Sequence, residues 1–180
     1  TLLVSSAASD VYKRQLGITG RTGSGKSTVL QLAMRMMDPQ EGRISLDGTP
    51  LPEWDLDAMK QDLGYVPQDV FLFSDTIGNN IAFGQGDANE QQVRKAAQDA
   101  GVREDIDGFE HGFNTMLGER GVNLSGGQKQ RISIARALVK SPRILFLDDC
   151  LSAVDTETED AILAAIEKQE ASCTLMVSHR

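Results

Sequence analysis

The stretch GRTGSGKST, Gly20–Thr28, decides how the rest of this chain is read. It follows a short apolar run, Leu16–Thr19. It precedes a pattern in which Leu30, Ala33, Met34 and Met37 fall at i, i+3, i+4 and i+7, one face of a helix that Pro39 closes. A strand, a glycine-rich turn and a helix in that order put backbone N–H groups and the positive end of a helix dipole at one spot, which favours an anion. The glycines let the backbone curl so that successive N–H groups point inward. Lys26 adds a cation and Ser27 a hydroxyl able to ligate Mg²⁺. The spacing G-x-x-x-x-G-K-[ST] therefore predicts a cradle for a phosphate chain and its metal. The candidate cradle residues are Gly20, Arg21, Thr22, Gly23, Ser24, Gly25, Lys26, Ser27 and Thr28.

A carboxylate is expected to complete such a site. Ile144–Leu147 is a continuous apolar run, the mark of a strand covered on both faces of a parallel sheet, and it runs into Asp148 and Asp149. Two carboxylates at the end of a buried strand are costly unless something uses them. Asp148 is the candidate to complete the Mg²⁺ shell. Thr174–Val177 reads as another buried strand, and Gly64–Val66 as a short one stopped by Pro67. Ser125–Val139 reads as a helix with Ile132, Ala135, Leu138 and Val139 on one face. Thr156–Glu159 has capping-box spacing with Thr156 as the cap, opening a helix that buries Ile162, Ala165 and Ile166. Arg43–Leu46 alternates, and Asp47-Gly48 signals a hairpin. Strands alternating with helices imply an α/β fold around a parallel sheet. Residues 70–135 differ in texture: Gln91–Ala100 is helical, no convincing strand occurs, and the segment reads as a helical insertion.

Composition narrows the class. The 180 residues suffice for one domain with a real core. A net charge of −8 argues against a nucleic-acid partner, since such proteins carry a basic stripe. No apolar run approaches the roughly 20 residues that cross a bilayer, so a membrane role requires another segment or chain. Cys150 and Cys173 show neither metal-ligand nor disulfide-rich spacing and read as reduced, buried residues. Both ends look cut. TLLVSSAASDVYKRQ, residues 1–15, resembles sequencing-adapter read-through and is set aside, leaving 16–180 as one partial domain.

LSGGQKQR, Leu124–Arg131, is a second glycine-rich helix start, with Ser125 and Gln128 in capping-box spacing. It reads as another anion site, or as a loop that only caps a core helix. The string resembles the signature motif of ATP-binding cassette (ABC) proteins, and other pieces of that family occur in order. Gly20–Thr28 matches its Walker A segment and Asp148 its Walker B aspartate. YVPQD, Tyr65–Asp69, resembles the Q-loop; SAVD, Ser152–Asp155, resembles the D-loop; Ser178-His179 resembles the switch histidine. The resemblance covers 16–180. GERGVNLSGGQ, Gly118–Gln128, and VFLFSDTIGNNIAFG, Val70–Gly84, are similar to ABC exporters, where the second segment lies against membrane domains. Phe71, Leu72 and Phe73 are then either ordinary core or part of that contact.

The resemblance implies a P-loop NTPase of RecA-like parallel-sheet core, with an inserted α-helical subdomain at about 70–135. It implies ATP and Mg²⁺, with Ser27, Gln68 and Asp148 on the metal side and Asp149, His179 and Gln68 in catalysis. It implies a second nucleotide-binding domain closing head to tail, so that Leu124, Ser125, Gly126, Gly127 and Gln128 face the partner's ATP, with Asp155 in the D-loop. It implies transmembrane helices, fused upstream, at the cytoplasmic face of the inner membrane. Active members carry glutamate directly after the Walker B aspartate. Asp149 is one methylene shorter, which draws its carboxylate back by roughly 1.5 Å, and a misplacement of about 1 Å costs on the order of a hundredfold in rate. The expectation is a site that binds ATP and hydrolyses it slowly, in one half of a heterodimeric multidrug or lipid exporter. The alternatives are a homodimeric exporter in which Asp149 works through an extra water, a soluble ABC ATPase clamping DNA or ribosomes, and a regulatory module without turnover. Neither a basic surface nor a coiled-coil insertion supports the soluble class. His111 reads as solvated, Cys150 as small and packed, and Trp54 receives no role.

Overall fold

The apolar runs become neighbouring strands. In the computed structural model, which describes residues 2–8, 14–46, 48–121, 123–169 and 173–178, four strands lie side by side and parallel. They are β2 (Arg14–Gly20), β7 (Cys173–Ser178), β6 (Ile144–Asp148) and β5 (Leu63–Val66), in that spatial order. β1 (Leu2–Ala8) pairs antiparallel with β2 at the outer edge. The backbone thus takes part of the set-aside segment 1–15 into the sheet: Arg14 and Gln15 begin β2, ahead of the expected Leu16.

Alternation along the strands explains why they read as uninterrupted apolar runs. Ile144 and Phe146 of β6 face a cluster formed with Ile18, Leu30, Met34 and Val177, beneath α1 (Lys26–Ala33). Leu145 and Leu147 face the opposite cluster. That side is covered by α6 (Gly126–Leu138) and α7 (Thr156–Lys168). A sheet wrapped on both faces needs apolar residues at every central position. The register sets Asp148 beside Val177 and Leu147 beside Val66, so the C-terminal ends of these strands share one edge of the sheet.

Between β5 and β6 the chain is helical, as its texture predicts: α3 (Ile77–Ala82), α4 (Glu90–Asp99) and α5 (Arg103–Asp107) pack with α6. Among the described residues of 70–135 the only β pairing is an isolated bridge, Thr76 to Met116. α6 itself runs past 135 to Leu138. α2 (Leu56–Asp62) leads into β5, and β3 (Ser45–Leu46) with β4 (Thr49–Pro50) forms the expected hairpin, with Gly48 at φ 82° in its turn. Asp47 lies outside the described residues.

Three expectations need correction. α1 stops at Ala33, before Pro39, because Arg35 turns left-handed at φ 55°; Met37 leaves the buried face and is 43% exposed. The cap of α7 is Asp155, whose carboxylate accepts from the Thr158 N–H, so Thr156 is the first residue of the helix and not its cap. Cys173 is half-buried rather than buried, while Cys150 is buried. The Phe71–Phe73 question has a split answer. Leu72 is core, whereas Phe71 is 51% exposed in a ring cluster with Phe73 and Phe83. The Arg136 guanidinium stands over Phe73 and Phe83 and donates to Asn80 O and Phe71 O, and burial lowers its pKa.

The turn after α3 presses on α6. A Cβ on Gly84 would stand 1.9 Å from Arg136 O and 2.9 Å from Val139 Cγ1. Overpacking against backbone cannot be relieved by a rotamer change, so Gly84→Ala is expected to cost about 3 kcal/mol of stability. Urea unfolding checks this; an unshifted midpoint would mean the turn yields freely.

Candidate functional site

β2 ends at Gly20 and the chain curls through 21–25 into α1. Gly23 and Gly25 have φ of 78° and 88°, values that a residue with a Cβ rarely adopts, and a Cβ on either would meet nothing within 4 Å. The left-handed backbone, and not crowding, therefore calls for glycine at both positions. Gly25 caps α1 with no side-chain hydrogen bond, which leaves the first-turn amides available.

Two polar groups inside this loop want a ligand. Lys26 is only 4% exposed; its Nζ donates to Gly20 O at 2.8 Å and Arg21 O at 3.1 Å, and among the described residues it has no acidic partner. A buried ammonium without a counter-charge is costly unless an anion joins it. The Ser24 hydroxyl is buried with no hydrogen-bond partner, a deficit that a phosphate oxygen would fill.

The expected carboxylate is beside them. Ser27 Oγ donates to Asp148 Oδ1 at 3.0 Å, joining residues 121 positions apart. Asp148 is 3% exposed at the end of β6. Tyr65, on neighbouring β5, senses the same carboxylate: burial first, and the Asp148 charge second, raise its pKa. A hydroxyl and a carboxylate at this separation, next to a phosphate cradle, fit an oxygen-preferring cation such as Mg²⁺. Gln68 follows the end of β5 and is exposed, two residues beyond the strand that pairs with β6.

Asp149 departs from ordinary backbone. Its φ is 47°, its N–H donates to Val177 O at 3.0 Å, and its carbonyl accepts from Ser152 Oγ at 3.0 Å. Aspartate is among the residues that tolerate this region best. Beside it, Asp149, Cys150, Glu159 and Val177 line a hollow of about 30 Å³, room for about one water. The Cys150 thiol is packed behind, and burial, more than the neighbouring carboxylates, pushes its pKa up to about 12. His179 lies outside the described residues.

The second glycine-rich start is built as its spacing predicts. Ser125 Oγ accepts from the Gln128 N–H at 3.2 Å, and Gln128 Oε1 accepts from the Ser125 N–H at 3.0 Å, a closed capping box. Gly126 is exposed with open space at its missing Cβ, and Leu124 is buried beneath. The 152–155 segment touches this start: Gln130 Oε1 accepts from the Ala153 N–H at 3.3 Å. The two glycine-rich helix starts ride on different layers, α1 against β2, β6 and β7, and α6 against β5, α3 and α4. Sequence reasoning singled out neither Asp105 nor Arg131, whose ion pair of 2.8 Å braces α6; no motif marks Asp105.

Comparison with known proteins accords with this geometry. A family model described as "ABC transporter" matches residues 10–152. The chain is 48% identical over 166 residues to "Probable multidrug resistance ABC transporter ATP-binding/permease protein YheI" of Bacillus subtilis, covering 92% of this chain and 28% of that protein. It is 44% identical over 174 residues to the ATP-dependent lipid A-core flippase of Pasteurella multocida, covering 95% of this chain and 30% of that one. A solved structure of a bacterial Atm1-family ABC exporter with ATP bound superposes with a TM-score of 0.86 at 44% identity, covering 90% of this chain and 28% of that one. The chain thus spans less than a third of the length of these curated relatives.

Proposed function

This chain belongs to the ABC transporter family, and from that premise we propose that it is the ATP-binding and ATP-hydrolysing domain of an exporter. The observation that carries the reading is one piece of geometry. A buried lysine with no acidic partner sits in a glycine loop, and the next residue's hydroxyl lies 3.0 Å from a buried carboxylate. The exporter part rests on likeness to exporters over nine-tenths of the chain.

In this reading the amides of 23–28 and Lys26 hold the triphosphate, and Ser27 and Asp148 hold Mg²⁺, with Gln68 beside them. When bound, Mg²⁺ neutralises phosphate charge as the terminal bond breaks. Asp149 orients or deprotonates the attacking water, and His179 supports the terminal phosphate. Ser125, Gly126, Gly127 and Gln128 present amides and a hydroxyl to the ATP held by a second domain, with Asp155 nearby. Donors fixed before the reaction cost no reorganisation during it. Closure of the pair drives transmembrane helices fused to this domain at the cytoplasmic membrane face. The short reach of Asp149 makes its own site slow, as in one half of a heterodimer with a degenerate carboxylate.

A second reading has its own observation. The water-sized hollow that Asp149 lines shows that a water fits against this residue, and a water bridging from Asp149 to the nucleotide would let it serve in an active homodimer. ATP hydrolysis by the full-length transporter, alone and with a partner half bearing glutamate at the matching position, separates the two. The heterodimer reading expects turnover to rise at least about tenfold with the partner. Equal turnover alone would overturn it in favour of the homodimer, and no ATP hydrolysis in either case would overturn the ATPase reading.

A further inference from the structure

Asp105 lies on α5, outside every motif of the nucleotide site, yet its two carboxylate oxygens hold two side chains of α6. Gln128 Nε2 donates to Asp105 Oδ1 at 2.9 Å, and Arg131 Nη2 donates to Asp105 Oδ2 at 2.8 Å. The cluster is largely shielded: the Arg131 side chain is 14% exposed and that of Asp105 28%.

The amide of Gln128 has one accepting end and one donating end. Its oxygen is committed to the Ser125 N–H and closes the capping box. Its NH₂ must then point the other way, and Asp105 is the acceptor that meets it there. A carboxylate cannot donate, so it selects this orientation over the flipped one, in which two oxygens would face each other. The capping box at the glycine-rich start of α6 is thus held from outside by α5.

Arg131 shares the hold of Asp105 on α6. Its Nε is buried without a partner, so Asp105 supplies much of what keeps the guanidinium in place. Hydrogen bonds from Thr158, and to a smaller degree the charge of Arg131, keep the Asp155 carboxyl below the usual carboxylate range. Gln130 holds the Ala153 N–H, and a Cβ on Gly127 would stand 3.0 Å from Ala153 O, so the loop rests directly on the helix start.

We propose that Asp105 is a positioning residue for the anion site at the start of α6, setting through Gln128 the aim of Ser125 and, with Arg131 bracing the helix start on which it rests, the seat of the 152–155 loop. This rests on the functional reading above, in which those groups meet the ATP of a second domain. Donors aimed at a reacting phosphate lose effect when their support loosens, because the supporting shell sets their precision.

The test uses the full-length transporter with Asp105→Ala, Asp105→Asn and Asp105→Glu. Asn keeps an acceptor for Gln128 and removes the charge facing Arg131; Glu keeps both functions at a longer reach. Asp105→Ala is expected to lower kcat about tenfold with the KM for ATP, governed by the Lys26 cradle, moving less than about twofold. Asn falls between, and Glu restores part of the loss. Hydrogen exchange of the 128 and 129 amides, which Ser125 holds, is expected to quicken about tenfold in Asp105→Ala, as for a helix that loses its cap, while the 29 and 30 amides of α1 keep their rates. Unchanged kcat overturns the proposal even if exchange quickens, since Asp105 would then be a structural brace alone. A fall in kcat without faster exchange at 128 and 129 overturns the route through the cap. If wild-type hydrolysis does not depend on Lys26, the functional reading has failed instead, and the exchange rates still judge whether Asp105 fixes the helix start.

Discussion

Lys26→Met is expected to weaken ATP binding about a hundredfold, the effect of removing one partner from a buried charge pair, without destabilising the fold. The two halves of that expectation have one cause. Lys26 is 4% exposed, its ammonium is held by the Gly20 and Arg21 carbonyls, and among the described residues no carboxylate balances it. In the empty loop this cation is a desolvated charge, unfavourable by itself. In the proposed loaded loop it becomes, with the metal, a counter-charge of the outer phosphates. Methionine keeps most of the buried stem and removes only the charge, so thermal unfolding should be unchanged or shifted upward. Titration with a fluorescent ATP analogue checks the first half. An affinity within about threefold of wild type would mean the loop amides alone hold the triphosphate.

Asp149→Glu is expected to raise single-turnover hydrolysis by about ten- to a hundredfold. The added methylene advances the carboxylate by roughly one bond length, toward the water it orients. The gain has a structural cost. Asp149 sits at φ 47°, where aspartate is tolerated better than most residues. Glutamate loses that tolerance, and the variant should be less stable by up to about 1 kcal/mol. Rate and stability therefore move in opposite directions, a signature that general repair of the domain would not give. An unchanged rate would show Asp149 to be an adequate base, in keeping with the water-sized hollow beside it.

What the sequence made legible was whatever has a period or a fixed spacing. The runs at 144–147 and 174–177 had to be central strands because both faces of the sheet are covered, and they are. The spacing of Lys26 and Ser27 in their glycine frame placed them on a helix start, and the apolar run before Asp148 placed that carboxylate at a strand end. Once strand and helix pack, the two are neighbours. Helix ends were less legible. Asp155 and Thr156 are both good caps, and only the backbone decides that Asp155 takes the Thr158 N–H. The apolar period of α1 continues to Met37, but nothing in it announces that Arg35 turns left-handed. Asp105 was invisible for another reason. One acidic residue in a polar stretch carries no signal until folding sets it against Gln128 and Arg131, and the same holds for Arg136 with its Asn80 and Phe71 carbonyl contacts.

The central claim is that one triphosphate with its metal sits between the loop around Lys26 and the carboxylate of Asp148. The most direct measurement is a crystal structure of the full-length transporter with Mg²⁺ and a non-hydrolysable ATP analogue. The account predicts phosphate oxygens on the amides of 23–28 and on Lys26 Nζ, with the metal between Ser27 Oγ and Asp148. Density for the nucleotide elsewhere, with the Ser27–Asp148 hydrogen bond undisturbed and the loop empty, would contradict it.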